Sequence, residues 1–285
     1  PWDRDGLPEA LRFWKTRIEE TDADKTFQVG LIYGPSGCGK SSLMKAGLLP
    51  RLGPKILSVY IEAAANETET RLLRGVRKAV PDAEGHSLKE VLNTIRRRQL
   101  VPTGGKLLLV IDQFEQWLFA ETNYAESSLT DALLECDGAI VQAMVMVRED
   151  FWVSVSRFLA ELDIPIVERG NSAMVDLFSL EHATKVLGLF GKAYEKLPEN
   201  AGQWTLDQHE FIRQAITGLS QDRKVISVRI AVLADMMKNR DWSTSALREV
   251  GGIEGVGVTF LEEMFGSRHA PMAHRKHQEA VQGAL

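Results

Sequence analysis

Gly34-Pro35-Ser36-Gly37-Cys38-Gly39-Lys40-Ser41 decides how this chain is read. The stretch fits the pattern G-x-x-x-x-G-K-[ST]. A strand-like run over residues 27–33 precedes it, and a helical pattern over 40–49, closed by Pro50, follows it. In that setting glycines let successive backbone N–H groups turn inward as an anion nest. The positive end of the helix beginning near Lys40 points at the same spot. Lys40 adds a point charge suited to β- and γ-phosphates. The Ser41 hydroxyl is placed to ligate Mg²⁺, and Ser42 to bond an α-phosphate oxygen. The stretch therefore proposes Gly34, Ser36, Gly37, Cys38, Gly39, Lys40, Ser41 and Ser42 as a site for ATP or ADP.

Working outward, short apolar runs alternate with helical patterns through the first two-thirds of the chain. Residues 56–61, 107–111 and 139–147 read as further strands, and 7–18, 68–80, 87–100 and 150–162 as helices. A fifth strand is available at 164–167 or at 174–177. Strands alternating with helices argue for a parallel sheet covered on both faces, and the unbroken apolar character of 107–111 and 139–147 fits it. Strand signals stop near residue 180. Helical patterns follow at 181–196, 207–219, 225–238 and 243–250, then a glycine-rich linker at 251–257 and further helical patterns at 258–265 and in the tail. The division expected is 1–180, a nucleotide-binding α/β domain; 181–250, a helical domain; and 251–285, a linker and the start of a winged-helix-like region.

Two acids follow the loop. Asp112 closes the run Leu107-Leu108-Leu109-Val110-Ile111, which places a carboxylate at the sheet's C-terminal edge, where it can hold Mg²⁺ through water. Glu115, three residues on, is a candidate to polarise an attacking water, or a charge at a helix N-terminus. Arg148 follows the fourth apolar strand directly. It either senses a third phosphate or pairs with Glu149, Asp150 or Asp112. The candidate catalytic set is Glu115, Asp112 and Arg148, and the metal ligands are Ser41 and Asp112. Cys38 reads as filling a small position, Arg96-Arg97-Arg98 as a solvated helix face, and Met236-Met237 as core.

Composition limits the partners. The 285 residues carry 44% hydrophobic and 26% charged residues, so a sizeable core and an ordinary surface are affordable. The net charge of -5 speaks against nucleic acid as the main partner. Two cysteines make no disulfide framework and suggest a reducing, cytoplasmic setting. No apolar run approaches the ~20 residues that cross a bilayer. Pro1-Trp2-Asp3-Arg4-Asp5-Gly6 is no signal peptide, and the expectation is a piece of something larger.

Residues 34–52, GPSGCGKSSLMKAGLLPRL, resemble the STAND class of P-loop NTPases, the signal-transduction ATPases with numerous domains, and more narrowly its bacterial "novel STAND" branch. Ile111-Asp112-Gln113-Phe114-Glu115-Gln116, Met146-Val147-Arg148-Glu149-Asp150-Phe151 and Gly257-Val258-Thr259-Phe260-Leu261-Glu262-Glu263 extend the resemblance. It implies a sheet ordered 5-1-4-3-2, a helical bundle and a winged helix. It also implies a switch, closed with ADP and self-associating with ATP, between effector and sensor domains of one larger chain, in bacterial signalling or antiphage defence. Two departures stand out. Gln116 replaces a second acid, which implies slow hydrolysis resting on Glu115. Ser227 stands where relatives carry a proline near the nucleotide. The readings in competition with a regulatory switch are an AAA+-type remodelling ATPase and a nucleotide-stabilised interaction scaffold without useful turnover.

Overall fold

The computed structural model describes residues 9–250. The expectations for 251–257, 258–265 and the tail, with the winged-helix-like region, fall outside the described residues. The chain divides into two compact units, with the break between Asp176 and Leu177.

The first unit is built on five parallel strands: β1 (Val29–Gly34), β2 (Ile56–Glu62), β3 (Lys106–Asp112), β4 (Val141–Arg148) and β5 (Ser172–Met174). Their spatial order is 2-3-4-1-5, the expected order 5-1-4-3-2 read from the other edge. The alternation of side chains sorts each strand onto two faces. Leu107, Leu109 and Ile111 of β3, with Val141, Ala143, Val145 and Val147 of β4, enter one core. There they meet α3 (Thr68–Ala79), α4 (Leu88–Arg98), α5 (Glu115–Ala120), α6 (Ser128–Leu133) and α7 (Trp152–Glu161). Leu108, Val110, Met144 and Met146 enter the opposite core, with Leu11, Trp14 and Ile18 of α1 (Glu9–Glu19) and with Met44 and Leu48. A strand buried on both sides has no room for a polar face, which is why these segments read as continuous apolar runs.

Two details differ from the sequence expectation. The helix after the phosphate loop is α-helical only over Lys40–Ser42 (α2) and continues as a π-helix over Leu43–Leu48. The fifth strand lies at Ser172–Met174, overlapping the second candidate segment at Met174 and starting two residues before it. Residues 164–167 instead enter a turn in which Asn171 accepts from the Val167 N–H and donates to the Pro165 carbonyl.

At the N-terminal end of the sheet Lys106 is fully buried. Its ammonium donates to the carbonyls of Glu20 at 2.6 Å and Gly138 at 2.5 Å, and reaches Gln142 Oε1 at 3.4 Å. Lys106→Met should strand these acceptors and cost about 2–4 kcal/mol in urea denaturation. Burial holds the Lys106 ammonium down to about 8 from its ordinary 10.5. Between those values the unfolded chain binds more protons than the folded one, so this residue's contribution to stability grows as pH rises through the window. The gap between parent and Lys106→Met should accordingly be wider at pH 10 than at pH 8.

The second unit packs α8 (Leu180–Ala193), α9 (Leu206–Leu219), α10 (Ser227–Met236) and α11 (Thr244–Glu249) around Leu187, Phe211, Leu233 and Trp242. Helix α9 starts with a capping box between Thr205 and Gln208. The unit also holds a small antiparallel sheet that the sequence reading missed: β6 (Phe178–Ser179), β7 (Ser220–Gln221) and β8 (Lys224–Val225), in the order 6-8-7. Asp222 and Arg223, both at positive φ, close the two-residue turn between β7 and β8. Strands of two residues are too short to show any periodicity.

Candidate functional site

The C-terminal ends of β1, β3 and β4 deliver the predicted residues to one edge of the sheet. After β1 the chain turns through Gly34, Gly37 and Gly39, with φ of 155°, 73° and 101°. A side chain is excluded at Gly34 twice over, because a Cβ there would lie 2.0 Å from the Val175 carbonyl oxygen. Lys40 follows, and its ammonium donates to the carbonyls of Gly34 at 2.8 Å and Pro35 at 3.0 Å, back across the loop. Cys38 is buried beneath the loop, and burial pushes its thiol above the ordinary range. A buried, protonated thiol fits the reading of a small filler rather than a reactive group. Ser36 and Ser42 are exposed, and Ser41 is half-buried.

Asp112 closes β3 and is 2% exposed. One carboxylate oxygen accepts from the Gln113 N–H at 2.8 Å, and the other from the hydroxyl of Tyr60. The Ser41 hydroxyl lies near the same phenol, close enough to work against the rise in its pKa. Burial, and then the bond to Asp112, raise the Tyr60 phenol above its usual range, so it stays a donor. Tyr60 thus lies beside the two residues predicted to hold Mg²⁺. Sequence reasoning passed over it, because a tyrosine in an alternating strand reads as core. Its one available signal is position. Residues 60 and 110 lie opposite each other in adjacent strands, which sets Tyr60 within reach of the strand end.

Among the described residues no three His, Cys, Asp or Glu side chains form a metal cage. A Mg²⁺ ion does not require one, since it usually binds through one or two protein oxygens, substrate phosphates and retained waters. A hydroxyl and a buried carboxylate at one phenol beside the loop supply the hard oxygen donors it prefers, so the residues fit this metal.

Glu115 begins α5 and is 8% exposed. Its carboxylate accepts from the backbone N–H of Arg148 at 3.4 Å. The strand register sets Arg148 opposite Gly34, so Glu115 is anchored beside the start of the phosphate loop. The Arg148 guanidinium itself pairs with Asp150 through two bonds, of 3.0 and 2.6 Å. It is one of the ion pairs the sequence allowed, and it lies at the surface. Gln116 is exposed.

A family model described as Novel STAND NTPase 1 matches residues 14–185, which include the loop, Asp112, Glu115 and Arg148. No curated protein matches the sequence. Among solved structures the chain is similar to a Walker-type ATPase of Pyrococcus abyssi, at 15% identity and a TM-score of 0.54, over 100% of this chain and 76% of that one. It is similar to the ORC2 protein of Aeropyrum pernix in ADPNP–ADP complexes, at 14% identity and a TM-score of 0.58, over 99% and 78%. It is also similar to Drosophila ORC bound to DNA, at 14% identity and a TM-score of 0.51, over 97% and 66%. Identities this low show a shared P-loop ATPase fold. The family model covers more than half of the chain, and the chain belongs to the novel STAND NTPase 1 family.

Proposed function

We propose that this chain is an ATP/ADP-binding regulatory switch with slow Mg²⁺-dependent ATP hydrolysis. It would control self-association or an effector within a larger bacterial signalling or defence protein, in the cytoplasm. The observation that carries the reading is the buried Asp112, held by Tyr60 at the strand end, beside the glycine loop across which Lys40 donates, with Ser41 near the same phenol. When bound, Mg²⁺ offsets the charge of the β- and γ-phosphate oxygens. The loop N–H groups and Lys40 cradle those phosphates, and Ser41 and Asp112 orient the metal directly or through water. Of the two candidate acids Glu115 is the one left to orient an attacking water, and the neighbouring Gln116 is exposed and carries no charge. A single anchored acid supports slow turnover, which suits a switch better than a motor.

The direct test pairs a binding titration with a phosphate-release assay. Saturable binding of both nucleotides in Mg²⁺, with turnover below the ~1–100 s⁻¹ typical of kinases, is expected. Rapid turnover would argue for a remodelling ATPase, and binding without turnover for a scaffold.

Arg148 tests the switch itself. In this proposal it leaves Asp150 for the γ-phosphate, a charge-assisted contact worth ~1.5–3 kcal/mol. Arg148→Ala should then narrow the gap between ATP and ADP affinities by about tenfold or more. An equal loss for both nucleotides would leave Arg148 as half of a surface ion pair.

A further inference from the structure

Next to the phosphate loop lies a second concentration of positive charge that the nucleotide chemistry leaves unused. A cavity of about 490 Å³ is lined by Tyr60 and Glu62 of β2, by Lys45, and by Arg71, Arg74 and Lys78 of α3. That volume falls within the ~300–1,000 Å³ of small-ligand sites. Gly75 lets α3 settle onto β2, because a Cβ there would lie 2.4 Å from Val59 Cγ1.

Arg71, Arg74 and Lys78 recur at helical spacing, so one face of α3 lines up three like charges, which repel one another. Lys45 is neutralised by Glu62 at 2.9 Å, and Arg71 by Glu67 at 2.7 Å. Arg74 and Lys78 are exposed and have no hydrogen-bond or ion-pair partner among the described residues. Lys45 also sits 4.5 Å from the centre of the Tyr60 ring, which makes a flat wall to the cavity. The chain as a whole carries a charge of -5, so this concentration runs against its overall balance.

We propose that the cavity is a second anion site, separate from the phosphate loop, which takes a small ligand bearing adjacent phosphate groups. The unpartnered Arg74 fork can match two oxygens of one phosphate, and the Lys78 ammonium, one helical turn on, those of a neighbouring phosphate, a pairing that a lone carboxylate would not satisfy. Nucleic acid would ask for a cationic track along several backbone phosphates, whereas the two unpartnered cations here, Arg74 and Lys78, stand at one open depression. Tyr60 lines the cavity and also holds Asp112. Ligand binding therefore bears on the metal position, a consequence that rests on the nucleotide reading above.

The test uses inorganic tripolyphosphate as probe and calorimetry as readout, in a Lys40→Ala background that removes the phosphate-loop cation. One-to-one saturable binding is expected, weakened about tenfold or more by adding Arg74→Ala and Lys78→Ala, each of which removes a charge-assisted contact. Both positions are exposed, and circular dichroism checks that the variants fold. Binding indifferent to Arg74 and Lys78, or no saturation at millimolar probe, would overturn the proposal. So would a single-stranded oligonucleotide that binds more tightly than tripolyphosphate with the same dependence on Arg74 and Lys78, which would assign the surface to nucleic acid. Failure of the parent chain to bind Mg-ATP leaves this titration standing, so the two readings fail separately.

Discussion

Lys40→Ala should abolish most nucleotide binding while the fold survives. The ammonium lies on the carbonyls of Gly34 and Pro35, at 2.8 and 3.0 Å, at the mouth of a loop with three glycines at positive φ. A phosphate brought there would offer the ammonium charged oxygens in place of two neutral carbonyls. Truncating one partner of such a desolvated charge pair costs ~2–5 kcal/mol, roughly 30- to 4,000-fold in affinity. Stability without nucleotide should change little, because the loop's shape is set by its glycines and by the close approach of Val175 to Gly34. Titration with fluorescent ATP and ADP measures the first quantity, and thermal denaturation the second. Unchanged affinity in the variant would place the nucleotide elsewhere.

Glu115→Gln should separate chemistry from binding. The carboxylate is 8% exposed and anchored to the Arg148 N–H, so it has little freedom to be replaced by a neighbour. Glutamine keeps the size and can still accept from that N–H, but it loses the charge that orients and polarises water. Loss of a positioned general base typically costs about 10²- to 10⁴-fold in rate. Turnover should drop by that order, with nucleotide affinity within about threefold of the parent, since no phosphate contact is removed. A variant that hydrolyses ATP at the parental rate would shift the role to another group. Equal losses in rate and affinity would return Glu115 to the alternative of a helix N-terminal charge.

The phosphate loop and the strand ending in Asp112 were legible because each is local or periodic, whereas the sheet order came only from the family resemblance. Glycine spacing marks the loop at Gly34, Gly37 and Gly39. Burial on both faces marks β3 and β4 as unbroken apolar runs. Tyr60 was not legible, since its role depends on two residues brought to it from Ser41 and Asp112 by strand pairing. Arg148 could be narrowed only to a pair of roles, because spacing does not say which way a long side chain on an exposed strand end turns. The small sheet at Phe178–Ser179, Ser220–Gln221 and Lys224–Val225 was invisible for a different reason. Two-residue strands carry no alternation, and Asp222 and Arg223 look like any polar loop until both adopt positive φ. The cavity under Lys45, Arg74 and Lys78 was hidden likewise, because α3 alone reads as a solvated basic helix until it is laid against β2.

The central claim is that nucleotide phosphates sit in the Gly34–Ser42 loop with the metal between Ser41 and Asp112. A crystal structure of the chain grown with Mg²⁺ and a non-hydrolysable ATP analogue tests it most directly. The account predicts β- and γ-phosphate oxygens on the loop N–H groups, the Lys40 ammonium moved from the Gly34 and Pro35 carbonyls onto them, and a metal ion ligated by the Ser41 hydroxyl with Asp112 in its water shell. Phosphates bound away from the loop, or a metal held without either Ser41 or Asp112, would contradict it.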